Sequence, residues 1–214
     1  MRIKSLANIV PVRNIPFTIN EERVLRELRI PVVKSLKEMP EKNVAQFIKT
    51  AIDSAYTLID GAGAYRTFKV THENGEAGIA ESPTLFDSPR VKKLLQNCDY
   101  VTLQVSTIGP KLENHVEEIK NSDASAAFYL EMVGGWMAAY MAEKVDSLIE
   151  PEILKNGYAR TMRYSPGYGD WDLKAQVEIL RLLDGAKLGI ELLPDSFIMI
   201  PRKSVTAAIG WERK

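Results

Sequence analysis

The chain has 214 residues, 45% of them apolar, and its 28 basic side chains balance 28 acidic ones. That length permits one sizeable core, and the even charge leaves no electrostatic footprint for nucleic acid or anionic lipid, so small molecules and proteins remain as partners. A lone cysteine, Cys98, excludes an internal disulfide and a cysteine-rich metal site.

No apolar run is long enough to span a bilayer, and Met1 to Pro11 is too short and too interrupted for a signal-peptide core. A cytoplasmic location is the expectation. Ile15 to Ile19 reads as a short strand. Asn20 then caps a helix through about Leu28, which Pro31 prevents from continuing. From Glu41 to about Ile59, Val44, Phe47, Ile48, Ala51, Ile52, Ala55, Leu58 and Ile59 recur with helical period, with Gly61 as the stop. Tyr65 to Val70 alternates as a strand, and His72-Glu73-Asn74-Gly75 carries the Asn-Gly signal of a tight hairpin.

Ser88-Pro89 opens another helix, with serine as cap and proline at the first helical position. Cys98, placed just before an apolar strand over Tyr100 to Ser106, reads as a small buried hydrophobe. Thr107-Ile108-Gly109-Pro110 ends that strand. A helix of about a dozen residues from Lys111, a polar break at Asn121-Ser122-Asp123, and a long helix from Ala124 to about Leu148 follow. Gly134, Gly135, Ala138, Ala139 and Ala142 on the long helix would admit another backbone along one face, and Met132, Met137 and Met141 read as core filler. Further on, Asp170 is placed to cap a helix from Trp171 to Leu183, stopped by Asp184-Gly185. Two short strands within Asp195 to Trp211, joined at Pro201-Arg202-Lys203, form a final hairpin. Helices and strands mix without regular strand-helix-strand spacing, so the expected fold is α+β, with helices packed on an antiparallel sheet in a single domain over 1–214.

Most chemical signatures are missing. Gly61-Ala62-Gly63 follows a helix and lacks the next glycine of a dinucleotide fingerprint, so it reads as a helix stop. His72 and His115 stand alone, without the spacing of a protein-built metal site. No nucleophile elbow or Walker loop occurs, and Asp170 with Asp172 reads as a helix-start charge pair. What stands out is Arg163-Tyr164-Ser165-Pro166-Gly167-Tyr168-Gly169-Asp170, a cation, two phenols and two glycines on an irregular loop. An arginine fork holds a carboxylate through two parallel hydrogen bonds, and the glycines permit close approach. A rigid turn with an exposed arginine is the alternative.

Taken together, the Arg-x-x-x-Gly-Tyr loop, the helix after it, and Ser-Phe-x-Met-x-Pro-x-x-Ser-Val from Ser196 to Val205 resemble the activation domain of cobalamin-dependent methionine synthase. The resemblance is strongest over residues 125–211. Around Val24-Leu25-Arg26-Glu27-Leu28 and Thr107-Ile108-Gly109-Pro110 the chain looks like the small, free-standing relatives of that domain. The resemblance implies a subunit that binds S-adenosylmethionine and acts in trans in the reductive methylation of cobalamin. The implied partners are a methionine synthase core that lacks this domain and carries the cobalamin, and a flavodoxin-like reductant. The methyl-donor contacts it implies are Arg163, Gly167 and Tyr168, with Ser165 at a variable position nearby.

Relatives commonly hold the donor's amino group with an acidic residue on the long helix, where this chain has Ala139 and, at a second such position, Gly135. Glu131 and Glu143 are the candidate substitutes, although twelve residues of helix turn them about 120° apart, so at most one faces the site. A non-catalytic binding or regulatory subunit that keeps the fold is the competing reading. No side chain is expected to act as a general acid or base, and no protein-built metal site is expected.

Overall fold

The computed structural model describes residues 3–30, 33–73 and 75–213. Its frame is a five-stranded antiparallel sheet in the order β1-β2-β5-β9-β6. The strands are β1 (Val10–Val12), β2 (Ala62–Lys69), β5 (Cys98–Thr107), β6 (Tyr158–Arg160) and β9 (Ser204–Arg213). Two ribbons accompany it, β3 (Thr71–Glu73) with β4 (Glu76–Gly78), and β7 (Glu191–Leu192) with β8 (Met199–Ile200). The helices are α1 (Lys4–Ala7), α2 (Glu21–Glu27), α3 (Lys42–Leu58), α4 (Pro89–Leu95), α5 (Lys111–Ile119), α6 (Ala124–Lys155) and α7 (Ala175–Leu183). Helices on an antiparallel sheet are the α+β fold expected from the sequence.

Strand alternation divides the core into two layers. Ile209 and Trp211 of β9 face α3, α5 and α6, and join Ile48, Ile52, Val133, Met137, Met141 and Ile149. Ala208, with Val101, Leu103 and Val105 of β5, faces the other way onto Leu95 of α4 and Ile179 and Leu183 of α7. Helical periodicity in α3 resolves as expected, with Ile48, Ala51, Ile52 and Ala55 buried. Met137 and Met141 are core, as expected, while Met132 lines a surface groove.

Several caps are local and stand where the sequence puts them. Asn20 accepts from the backbone N–H of Arg23 at 3.0 Å, and Ser88 accepts from Val91 at 3.2 Å ahead of Pro89. Pro31, expected to block α2, and Asn74 of the hairpin turn lie outside the described residues.

Other expectations are corrected. Residues Ile15 to Ile19 form no strand; the edge strand is Val10–Val12, whose Pro11 is tolerated because an edge has a side with no ladder bond to lose. Ile15 and Ile19 are buried as irregular chain, their N–H groups donating to Gly61 O and the Tyr56 hydroxyl. Gly61-Ala62-Gly63 is not the stop of α3, which ends at Leu58 with Ile59 already extended; β2 begins at Ala62. A Cβ on Gly63 would lie 2.7 Å from the carbonyl oxygen of Val105, so this strand position requires glycine.

The long helix runs past Leu148 and through Pro151 to Lys155, since its last turns bury Ile149 and Ile153. Its small residues do not form one face. Gly134, Ala138 and Ala142 are buried, whereas Gly135 and Ala139 are exposed. The two C-terminal strands are not partners: β8 pairs with β7, and β9 pairs with β5 and β6. Finally, α7 starts at Ala175, and Asp170 instead caps α4 from a distance, accepting from Ser88 Oγ at 2.5 Å and the Arg90 N–H at 3.3 Å.

Cys98 is 1% exposed, and burial, followed by the charges of Glu212 and Asp99, pushes its thiol up to about 12. An unfolded thiol ionises near about 8.5. The unfolded chain therefore sheds this proton first, and the stability contributed by the neutral buried thiol is complete below that value and lost as pH rises toward about 12. We expect the urea midpoint to fall across this alkaline range in the parent chain and less steeply in Cys98→Ala. Identical slopes would show that the thiol is not the titrating group.

Candidate functional site

Beyond β6 the chain continues along β9 as an irregular edge. Thr161 N–H donates to Gly210 O, and Tyr164 and Ala208 exchange both backbone hydrogen bonds, at 3.0 and 2.8 Å. This attachment brings Arg163 to Tyr168 beside the sheet. The loop then closes on itself: Gly167 N–H donates to Trp171 O at 2.7 Å, and the Tyr164 hydroxyl donates to Tyr168 O at 3.1 Å. Gly167 has φ +87° and Gly169 φ +59°, and a Cβ on Gly169 would fall 2.3 Å from the Tyr164 hydroxyl oxygen. Glycine is needed at both places. Trp171 anchors the far end, buried, stacked on Tyr164 and donating its indole N–H to Leu85 O at 2.9 Å.

A cleft of about 410 Å³ opens between this loop, α6, α7 and the start of β9. Arg163, Ser165 and Tyr168 line one side, and Ala139, Gln176, Ser204 and Thr206 contribute elsewhere. Gln176 is fixed twice, accepting from Thr206 Oγ1 at 3.0 Å and donating to Phe197 O at 2.7 Å. Tyr168 is 68% exposed and stands at the rim with Met162.

Arg163 is not a loose surface cation. Its Nη1 donates to Asp146 Oδ2 at 3.2 Å; the same oxygen accepts from Arg160 Nη2 at 3.3 Å, and Gln104 Nε2 donates to Asp146 Oδ1 at 2.6 Å. Asp146 is 8% exposed, and its burial raises the carboxyl's pKa, opposed by the nearby charges of Arg163 and Arg160. Asp146 belongs to no motif in the sequence. Its signal is a lone acid in the apolar stripe of Ala142, Val145, Ile149 and Ile153 on α6, a position that calls for a buried partner.

The two candidate glutamates stand apart from the cleft. Glu131 is paired with Lys203 Nζ. Glu143 accepts from Arg23 Nη2 at 2.6 Å and lines a neighbouring groove with Trp136, Gly135 and Ala139. Ala139 is common to groove and cleft, and the cleft itself is lined by no carboxylate among the described residues. The arrangement offers a guanidinium, hydroxyls, a phenol and apolar walls, which suits an elongated ligand with one anionic end.

No family model and no curated protein matches the chain. Among solved structures, the crystal structure of the MetH reactivation domain bound to AdoHcy is similar with a TM-score of 0.71 at 16% identity, over 99% of this chain and 80% of that one. The chain has the reactivation-domain fold. That fold accounts for the antiparallel sheet, the helices packed on it and the α+β class read from the sequence. No helix among the described residues is long and apolar enough to cross a membrane.

Proposed function

We propose that this chain, acting as one unit over 1–214, binds S-adenosylmethionine in the Arg163 cleft and serves in trans in the reductive methylation of the cobalamin of methionine synthase. The observation that carries this reading is the shared fold with a reactivation domain solved with AdoHcy, the demethylated form of that donor, together with an open cleft that has Arg163 on its wall. Arg163 receives the donor's carboxylate, and Ser165 and Tyr168 offer hydroxyl groups along the same wall, while Gly167, which does not line the cleft, turns the loop at φ +87° between them.

The cobalamin, carried by a partner synthase core that lacks this domain, supplies the nucleophilic metal, and a flavodoxin-like protein supplies the electron. The chain's own residues need move no proton: they hold the methyl donor in line with the metal. A cytoplasmic setting follows from those partners. The exposed Met162 and Tyr168 at the rim fit a face that closes against another protein.

A second reading is a non-catalytic regulatory subunit with the same fold. It is favoured by Ala139, which lines the cleft at the position where the resemblance calls for an acidic residue. Reconstitution separates the two. Purified chain, a cobalamin-bearing synthase core and reduced flavodoxin should restore methyl transfer from S-adenosylmethionine to an inactivated cobalamin. Saturable association with the core without recovery of methyl transfer would favour the regulatory subunit.

A further inference from the structure

We propose that Asp146 is the positioning residue of the cleft, a buried carboxylate that holds Arg163 by one nitrogen and aims the rest of its guanidinium at the ligand's carboxylate. The inference rests on the reading that Arg163 receives that carboxylate, and it adds what decides the direction of the fork.

Asp146 is supported from three separate elements. Gln104 of β5 donates to one oxygen at 2.6 Å, while Arg160 of β6 and Arg163 of the loop donate to the other at 3.3 and 3.2 Å. Arg160 is itself drawn back toward Glu150, 3.8 Å away on the next turn of α6. Gln104 is 1% exposed. The carboxylate is therefore held by the central strand of the sheet independently of either arginine.

Arg163 spends Nη1 on this contact, and its Nε and Nη2 have no other partner among the described residues. A guanidinium is planar and rigid, so pinning Nη1 at one end, with the side-chain stem tethering Nε at the other, narrows the directions open to the remaining N–H groups. Arg163 also lines the cleft, with its side chain only 23% exposed. The geometry is that of a ligand-binding fork oriented by a buried carboxylate, with one hydrogen-bonding edge held and one available. A different role would also explain a buried acid here, namely a counter-ion that merely neutralises two arginines. The two roles predict opposite effects on ligand affinity. Removing a positioning group loosens the fork and weakens binding; removing a competing anion strengthens it.

The test uses Asp146→Asn and the near-isosteric apolar Asp146→Leu, each first shown to be folded by its thermal transition. Two probes are titrated by calorimetry: S-adenosylhomocysteine, which carries the carboxylate, and 5′-methylthioadenosine, which lacks it. Loss of one oriented charge-assisted contact should weaken S-adenosylhomocysteine on the order of tenfold and leave 5′-methylthioadenosine unchanged. In the ligand-free protein, the nitrogen-15 resonances of the Arg163 guanidinium, identified by their loss in Arg163→Ala, should be resolved in the parent chain and averaged in both variants. Tighter S-adenosylhomocysteine binding in the variants, or an equal loss for both probes, would overturn the proposal. If the parent chain binds neither probe, the donor-binding reading fails and this inference with it; if the parent binds S-adenosylhomocysteine and both variants keep its affinity and the guanidinium spectra unchanged, the donor-binding reading stands and the positioning role is rejected.

Discussion

Arg163→Ala is expected to weaken S-adenosylhomocysteine binding by about a hundredfold, since a fork that makes two hydrogen bonds to a carboxylate contributes roughly 3 kcal/mol. The fold should survive. Arg163 makes one side-chain hydrogen bond, to Asp146, and that carboxylate keeps Arg160 and Gln104 when it is lost. The loop is attached through backbone bonds of Tyr164 and through buried Trp171, neither of which involves the arginine side chain. Arg163→Lys separates charge from geometry. Lysine restores the cation as a point charge but cannot offer the planar fork, so it should recover only part of the affinity. Titration calorimetry on the three proteins is the measurement. Equal affinity in parent and alanine variant would remove Arg163 from the site.

Local physics made much of this fold legible in the sequence. Asn20 and Ser88 cap the helices they precede, because a cap and its target lie three residues apart. The α3 stripe is equally local. Distant partners were not legible. Asp170 has the chemistry of a cap, and it caps a helix 82 positions back in the chain, at Ser88, where the Trp171 anchor delivers it. The run after Asp195 reads as a hairpin because its two strands follow one another, yet β9 finds deeper burial between β5 and β6 than it would beside β8. Pro151 ought to end a helix, but the apolar contacts of Ile149 and Ile153 outweigh one missing hydrogen bond.

The cleft was partly legible in the same way. Arg163, Ser165 and Tyr168 are sequence neighbours, and they share a wall of it. Across the cleft the choice of acid depends on helix rotation and on what each side chain meets. Glu131 and Glu143 are taken by Lys203 and Arg23, two residues that only the tertiary fold brings to α6. Asp146 reaches Arg163 because residues 142, 145, 146, 149 and 153 share the face of α6 turned to the sheet. Exposed Gly135 and Ala139 then leave a smooth strip joining the cleft to the Arg23 groove, where bulk would divide them.

Trp211→Ala should be the most damaging single truncation for stability, at about 3–5 kcal/mol, a fall in melting temperature of roughly 10 °C for a chain of this size. Trp211 is fully buried in β9, opposite Tyr100 on β5 and Arg160 on β6. Its ring packs against Tyr100 and Tyr158 with centroids 5.7 and 5.9 Å away, and its indole N–H donates to Thr102 Oγ1 at 2.8 Å. Thr102 continues through Thr67 to Ser5, each hydroxyl 2.7 Å from the next, so the indole ends a buried polar chain that ties α1 to the sheet. Trp211→Phe keeps a ring and loses the N–H, and should cost distinctly less than alanine. The functional consequence runs along the same strand: Ser204 and Thr206 at the other end of β9 line the cleft, and Ala208 holds Tyr164 and with it the Arg163 loop. Trp211→Ala should therefore lose ligand binding at the lower temperature at which it melts, while keeping near-parental affinity well below it. A melting temperature within a degree or two of the parent would show that β9 is held by its register and not by this side chain.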